Sequence, residues 1–323
     1  IPIREADKEK TAFTTPFGLF QFNVLPMGLK NSPPTFQKVM TNTLKPCREF
    51  ALVYLDDIIV YSKSYDDHVS HITQVFLALT NRNFVLNPPK CELFVSQINY
   101  LGHTISETGI MPMKEKIQAI LDMKEPRLLS HANKFIGALS WYRKFIPNFA
   151  TIAAPIHAIT NLTKNHRHKF HWKLAQSRAF KQLKQMLIDT PLFLHYPVPN
   201  EPLLLTTDAS GLGIGGVLQQ NINGTLHNLY YHSQTLTPCE RKYSTIEKEA
   251  LAIYKCIVRM RPLLLGRQFT IITDHCPLCH IMTKTVNNTR VNRIALLIQE
   301  YNIDKVVHID GRQNCLPDYL SRY

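Results

Sequence analysis

Four residues, Tyr54-Leu55-Asp56-Asp57, constrain this 323-residue chain more than any other feature. Two adjacent carboxylates stand between two apolar runs, Phe50 to Val53 and Ile58 to Tyr61. The β-branched and aromatic residues on either side read as strands, and an Asp-Asp pair at their junction reads as a tight hairpin with both side chains exposed at its tip. Like charges so close repel, and a neighbouring cation relieves them. Taken alone, the same four residues also fit a turn that uses Asp only for its turn chemistry.

A second set of carboxylates lies toward the other end. The apolar run Leu203 to Thr207 reads as a strand delivering Asp208. The glycine-rich Gly211 to Leu218 turns back into a second strand, and a third follows around Leu229 to Ser233. Ser244-Thr245-Ile246-Glu247 is a capping-box pattern opening a helix whose apolar positions Ile246, Ala250, Ile253 and Ile257 form the buried face. Two nearby glutamates then separate by role. Glu247 sits where its side chain reaches back to the cap, whereas Glu249 lies at the border of the apolar stripe with no such task, and a carboxylate at a core margin asks for a partner. Phe269 to Thr273 is a further strand ending at Asp274, and a last helix carries Asp318 after Val306-Val307-His308-Ile309. Carboxylates on two strand ends and two helices could converge around two divalent metals, which such sites hold about 3.5–4 Å apart.

About thirty residues before the hairpin lies Leu25-Pro26-Met27-Gly28-Leu29-Lys30-Asn31-Ser32-Pro33-Pro34-Thr35-Phe36-Gln37, a Pro/Gly-broken loop running into a helix with Pro in its first turn. Loop and hairpin together resemble the palm of a reverse transcriptase, most closely that of gypsy-like long-terminal-repeat retrotransposons. The resemblance continues through Asn87-Pro88-Pro89-Lys90-Cys91, Leu101 to Ser106 and Trp141 to Phe149. It ends in Thr207 to Ser210, Glu247 to Ile253, Thr273 to His275 and Pro317 to Arg322, which look like the four ribonuclease H blocks of these elements. Blocks in the family's order span nearly the whole chain.

That resemblance implies an α/β (α+β) architecture in three parts. Residues 1–106 would be a reverse transcriptase palm lacking its upstream portion, 107–195 a helical thumb and connection, and 196–323 an RNase H-like mixed-sheet domain. It implies Asp208, Glu249, Asp274 and Asp318 as ligands of two Mg2+ or Mn2+ ions, one activating the attacking water and the other stabilising the leaving 3′ oxygen. His308 precedes Asp318 by the spacing of a catalytic-loop histidine in retroviral and bacterial ribonucleases H, where it would shuttle a proton or aid product release; a surface residue is the alternative. Asp56 and Asp57 would be polymerase metal ligands and likewise need two ions. Met27 and Gly28 would lie near nucleotide and template, Lys90 would contact a phosphate or act as an acid, and Gly102 would belong to the primer grip. The third polymerase carboxylate lies, in the family, just before the Ile1-Pro2-Ile3 that begins here, and Glu5, Asp7 and Glu9 lack its surroundings. The expectation is therefore cleavage of RNA in RNA–DNA hybrids, with templated DNA synthesis from dNTPs on a primer–template only in the intact polyprotein. A catalytically inactive or host-recruited nucleic-acid-binding remnant is the other reading.

Composition agrees. A net charge of +13 points to a polyanion, and no amphipathic basic helix or lipidation signal suggests a membrane surface. No apolar run approaches a membrane span and no signal peptide opens the chain, so an intracellular, cytoplasmic protein is expected, in a retroelement particle or free, with a dimer or protease and integrase segments as candidate neighbours. Seven scattered cysteines suit a reducing compartment, and Cys276-Pro277-Leu278-Cys279, with no second pair, reads as coincidence rather than as a zinc site. The run Lys164 to Lys169 reads as a solvated linker before it reads as a backbone contact. Further helices are expected over Met113 to Met123, Ser130 to Phe145 and Ala175 to Leu187.

Overall fold

A computed structural model describes residues 1–160, 162, 164–189, 192–281 and 287–309. The chain forms two compact units, Ile1–Tyr100 and Leu101–Tyr323.

The first unit opens with a short helix α1 (Glu5–Lys8) and an antiparallel pair, β1 (Phe13–Thr15) and β2 (Gly18–Phe20). Helix α2 (Ser32–Thr43) has Pro33 and Pro34 in its first turn, where missing N–H groups cost nothing. Strands β3 (Ala51–Tyr54) and β4 (Asp57–Val60) pair antiparallel with Tyr54 opposite Asp57, so Leu55 and Asp56 alone make the turn. Helix α3 (Tyr65–Thr80) starts at Ser64, whose hydroxyl accepts from the Asp67 N–H, and its apolar positions Ile72, Val75 and Leu79 are buried. Met40 and Leu44 of the α2 end join Ala51, Val75 and Leu79 in one small core. Strand β5 (Gln97–Tyr100) ends the unit.

The second unit holds both the helical segment and the larger sheet. Strands β6 (His103–Ser106), β7 (Gly109–Pro112) and β8 (Leu194–His195) pair antiparallel in that order. Between β7 and β8 run α4 (Lys114–Leu121), α5 (Leu129–Trp141), α6 (Phe149–His157) and α7 (Leu174–Asp189). Their shared core includes Phe135, Phe145, Phe149, Ile156 and Leu183, all almost without exposure, and each such side chain contributes roughly 1.5–3 kcal/mol by leaving water. The stretch expected as one helix from Ser130 to Phe145 breaks after Trp141. A 3-10 turn takes over at Arg143–Phe145, and Asn148 then adopts a left-handed conformation before α6. The break turns Arg143 toward β11, described next. Its Nη2 donates to the Ser233 carbonyl at 2.7 Å, and the Ser233 hydroxyl accepts from the Ala150 N–H at 2.9 Å.

Strands β9 (Leu203–Ala209), β10 (Gly213–Ile222), β11 (Thr225–Thr235), β12 (Phe269–Thr273) and β13 (Ile303–His308) form a mixed sheet in the order β11-β10-β9-β12-β13. The first three run antiparallel, while β12 lies parallel to β9 and β13 parallel to β12. Helix α8 (Thr245–Arg259) crosses the sheet, followed by α9 (Arg261–Leu264) and α10 (Thr289–Ile298), which packs on α8. The crossing is close: a Cβ on Gly216 of β10 would stand 2.4 Å from the Cys256 Sγ of α8, so only glycine lets helix and sheet meet there. Helix α6 and the 3-10 turn before it pack on edge strand β11.

Candidate active site

The parallel register of β12 on β9 sets Ile272 opposite Thr206. Two residues further along each strand come Asp274 and Asp208, on neighbouring chain ends and the same side of the sheet. Helix α8 supplies the third group. Its capping box forms as its sequence asks: the Ser244 N–H donates to Glu247 at 2.8 Å, and Glu247 also accepts from Arg290 at 2.6 Å. The Ser244 backbone bond is the main cause that holds the Glu247 carboxyl below its ordinary range, with the Asn288 and Arg290 contacts adding to it. Two residues on, Glu249 points the other way. It lies not at the border of the apolar stripe but within the buried face, 4% exposed, and its Oε1 accepts from the Ala209 N–H at 3.1 Å. Asp208 is 1% exposed.

Carboxylate oxygens of Asp208, Glu249 and Asp274 all fall within 4.8 Å of one another, and among the described residues no other three potential ligands gather so closely. Three carboxylates, two of them nearly sealed from water, repel strongly unless a cation offsets them. All-oxygen donors of this charge suit a hard divalent ion. At the end of β13, exposed His308 places Nε2 3.1 Å from the Asp274 carbonyl. A carbonyl only accepts, so Nε2 carries the proton in that contact and Nδ1 is the basic nitrogen. Burial, more than any neighbouring charge, holds His275 below its usual range; Asp274 opposes that shift and His308 adds to it. Asp318, with Pro317 before it, lies outside the described residues.

The first unit presents its own pair. Asp56 and Asp57 are both exposed at the β3–β4 tip, and no third carboxylate among the described residues gathers with them. The turn is strained, since Leu55 has φ +51°, a region L-residues other than Asn and Asp rarely enter. Gln37 of α2 holds it there: its Oε1 accepts from the Leu55 N–H at 2.6 Å and its Nε2 donates to the Val53 carbonyl at 3.0 Å. Nothing in the sequence signals this role beyond the position of Gln37 in a helix facing the hairpin. Met27 is 99% exposed, Gly28 has φ +95° with open space around it, and Lys90 is exposed on a 3-10 turn, so these three touch no built pocket within the unit. In the second unit Gly102 has φ +79°, its carbonyl accepts from the Tyr142 hydroxyl at 3.0 Å, and the Trp141 indole nitrogen stands 3.3 Å from where a Cβ would be. The basic run His166 to Lys169 is exposed.

Comparison with known proteins adds the family. Residues 1–105 match the family described as reverse transcriptase (RNA-dependent DNA polymerase), and residues 198–301 match the RNase H-like domain found in reverse transcriptase. Over its whole length the chain is 39% identical to the retrovirus-related Pol polyprotein from transposon 297 of Drosophila melanogaster and 35% identical to that from transposon 412. It is 34% identical to the transposon Tf2-3 polyprotein of Schizosaccharomyces pombe. The chain spans 30%, 26% and 24% of those relatives. Its fold is similar to a foamy viral protease-reverse transcriptase in complex with RNA/DNA hybrid, with TM-score 0.77 and 22% identity over 100% of this chain and 43% of that one. The same protein in complex with double-stranded DNA gives TM-score 0.79 at 22% identity over 96% and 65%. No helix among the described residues is long and apolar enough to cross a membrane.

Proposed function

Because the chain belongs to the reverse transcriptase and RNase H-like segment of retrotransposon Pol polyproteins, we propose that its own activity is hydrolysis of the RNA strand in RNA–DNA hybrids. The observation that carries this reading is the gathering of Asp208, Glu249 and Asp274 within 4.8 Å at the end of two parallel strands. These residues, with Asp318, would hold divalent Mg2+ or Mn2+, two ions per site. A bound pair supplies charge that activates a water and steadies the phosphoryl group during in-line displacement.

The chain's own residues do the rest. The Ala209 N–H fixes the Oε1 of Glu249 beside the end of β9. His308, held by the Asp274 carbonyl through Nε2, keeps Nδ1 open to take or return a proton at the exposed rim. The fold's net charge of +13 draws the hybrid's phosphates, and hybrid specificity comes from minor-groove shape and contacts to RNA 2′-hydroxyls.

We keep the three-part division, with 1–106 as palm, 107–195 as thumb and connection, and 196–323 as the RNase H-like domain. In the palm, Asp56 and Asp57 are metal ligands, Met27 and Gly28 lie near template and nucleotide, Lys90 meets a phosphate and Gly102 serves the primer grip. With no third carboxylate among the described residues gathered beside Asp56 and Asp57, DNA synthesis from dNTPs belongs to the longer polyprotein, along with protease and integrase neighbours, a dimer, and a cytoplasmic or particle location.

The test is cleavage of a hybrid carrying end-labelled RNA by the purified chain with magnesium or manganese. Asp208→Asn abolishes cleavage while leaving the circular dichroism spectrum unchanged. Full activity in that variant would refute the site.

A further inference from the structure

We propose that Cys276 and Cys279 are a redox-modification site, a dithiol that closes to a disulfide and slows the acidic cluster beside it. The effect on cleavage rests on the function proposed above, whereas the disulfide does not.

Residues Cys276–His280 form a 3-10 turn that starts two residues after Asp274. At three residues per turn, positions i and i+3 eclipse, one above the other at about 6 Å. That spacing falls within the 4.4–6.8 Å Cα separation that a disulfide spans. Cys276 is exposed and Cys279 half-buried, three residues apart on one 3-10 turn. The other described cysteines lack this combination. Cys47 and Cys256 are buried, while Cys91 and Cys239 are exposed but have no cysteine near them in sequence. A metal site is not the better reading, because among the described residues only the acidic cluster brings three potential ligands within reach.

Geometry couples this pair to the cluster. Leu278, between the two cysteines, is fully buried in the sheet's core and anchors the turn. The turn also packs against β13, which carries His308. Drawing the two sulfurs to a bond length near 2.05 Å therefore displaces the residues flanking the anchor. On one side these are His275, whose N–H is held by the Thr273 hydroxyl, and Asp274, whose carbonyl holds His308.

The oxidant is a hydroperoxide. One thiolate attacks a peroxide oxygen of hydrogen peroxide, forming a sulfenic acid and, after protonation of the leaving hydroxide, one water. The second thiol attacks the sulfenic sulfur, the S–S bond forms, and a second water leaves. Two thiols lose two electrons and two protons, and one peroxide is reduced to two waters. A dithiol reductant such as dithiothreitol reverses the change.

The experiment treats the full chain with hydrogen peroxide, blocks remaining thiols with an alkylating reagent, and maps the peptide containing both residues by mass spectrometry. The expected peptide carries an internal disulfide and no alkyl groups, and dithiothreitol restores two alkylatable thiols. Hybrid cleavage, measured in parallel, falls roughly tenfold or more on oxidation, since an ångström of misplacement at a catalytic group can cost 100-fold. It recovers with dithiothreitol, and Cys276→Ser and Cys279→Ser each cleave normally and ignore peroxide. Cysteines alkylated or over-oxidised independently overturn the disulfide. A disulfide formed without loss of cleavage overturns the coupling. A reduced chain that cuts no hybrid, yet still forms the disulfide, refutes the functional reading and the coupling while leaving the modification site standing.

Discussion

Acid should destabilise the second unit through one histidine in particular. His232 of β11 is 6% exposed and its Nε2 has no hydrogen-bond partner among the described residues. Burial chiefly, then the charges of Arg143, Arg259 and Lys255, pushes its ring from an ordinary 6.5 down to about 3. The unfolded chain therefore binds a proton below pH 6.5 that the folded chain refuses until about pH 3. Stability present above the unfolded value is lost as pH falls between the two. With a gap of 3.5 units, lowering pH from 7.5 to 5 costs about 2 kcal/mol from this group alone. Urea unfolding of the wild-type chain and His232→Gln at pH 7.5, 6 and 5 isolates it, because His103, His157, His195 and His275 titrate alike in both proteins. The stability difference between the two should shift by about 2 kcal/mol in favour of the variant as pH drops to 5. A difference that stays constant across that range would show that His232 is solvated or paired in solution, and the reasoning would fail.

Other outcomes follow from particular contacts. Glu249→Gln should lower hybrid cleavage by orders of magnitude, whereas Glu247→Gln, which keeps a capping-box residue, should leave it nearly intact; equal losses would put the α8 register in error. Gly216→Ala should destabilise the chain by about 1–3 kcal/mol through its clash with Cys256, and much less in a Cys256→Ala background, as a double-mutant cycle of unfolding would read. Gln37→Ala removes both bonds to the hairpin and should raise the hydrogen-exchange rate of the Leu55 amide severalfold while leaving α3 protected. The chain should bind a primer–template with affinity that falls steeply with salt yet extend no primer, and robust extension lost in Asp56→Asn would overturn the carboxylate count.

What the residues disclose without coordinates is uneven, and the unevenness has causes. Asp208 and Asp274 stand out because each ends an apolar run of strand-forming residues, and the capping box at Ser244 separates Glu247 from Glu249 by local chemistry alone. Helix α6 escapes detection because Pro155 sits inside it and Asn148 opens it in a left-handed conformation, both of which read locally as breaks. The burial of Glu249 also exceeds what its helix pattern suggests, since the sheet it packs on is formed by distant segments. The Gln37 clasp joins residues 18 apart and the Arg143–Ser233 contact residues 90 apart, and no local pattern encodes either. Asp318, read from the sequence as carried on a last helix, stands outside the described residues.

The two acidic sites are assembled on different timetables. Asp56 and Asp57 are brought together by a two-residue turn between paired strands, a local contact that closes within about 1–10 microseconds. Asp208 and Asp274 meet only after β12 has found β9 across more than sixty residues of chain, in a parallel pairing that is slow to form and late to be rewarded. A refolding chain should thus regain its hairpin long before the acidic cluster is assembled, so the metal binding proposed for that cluster would report the last step of folding rather than the first.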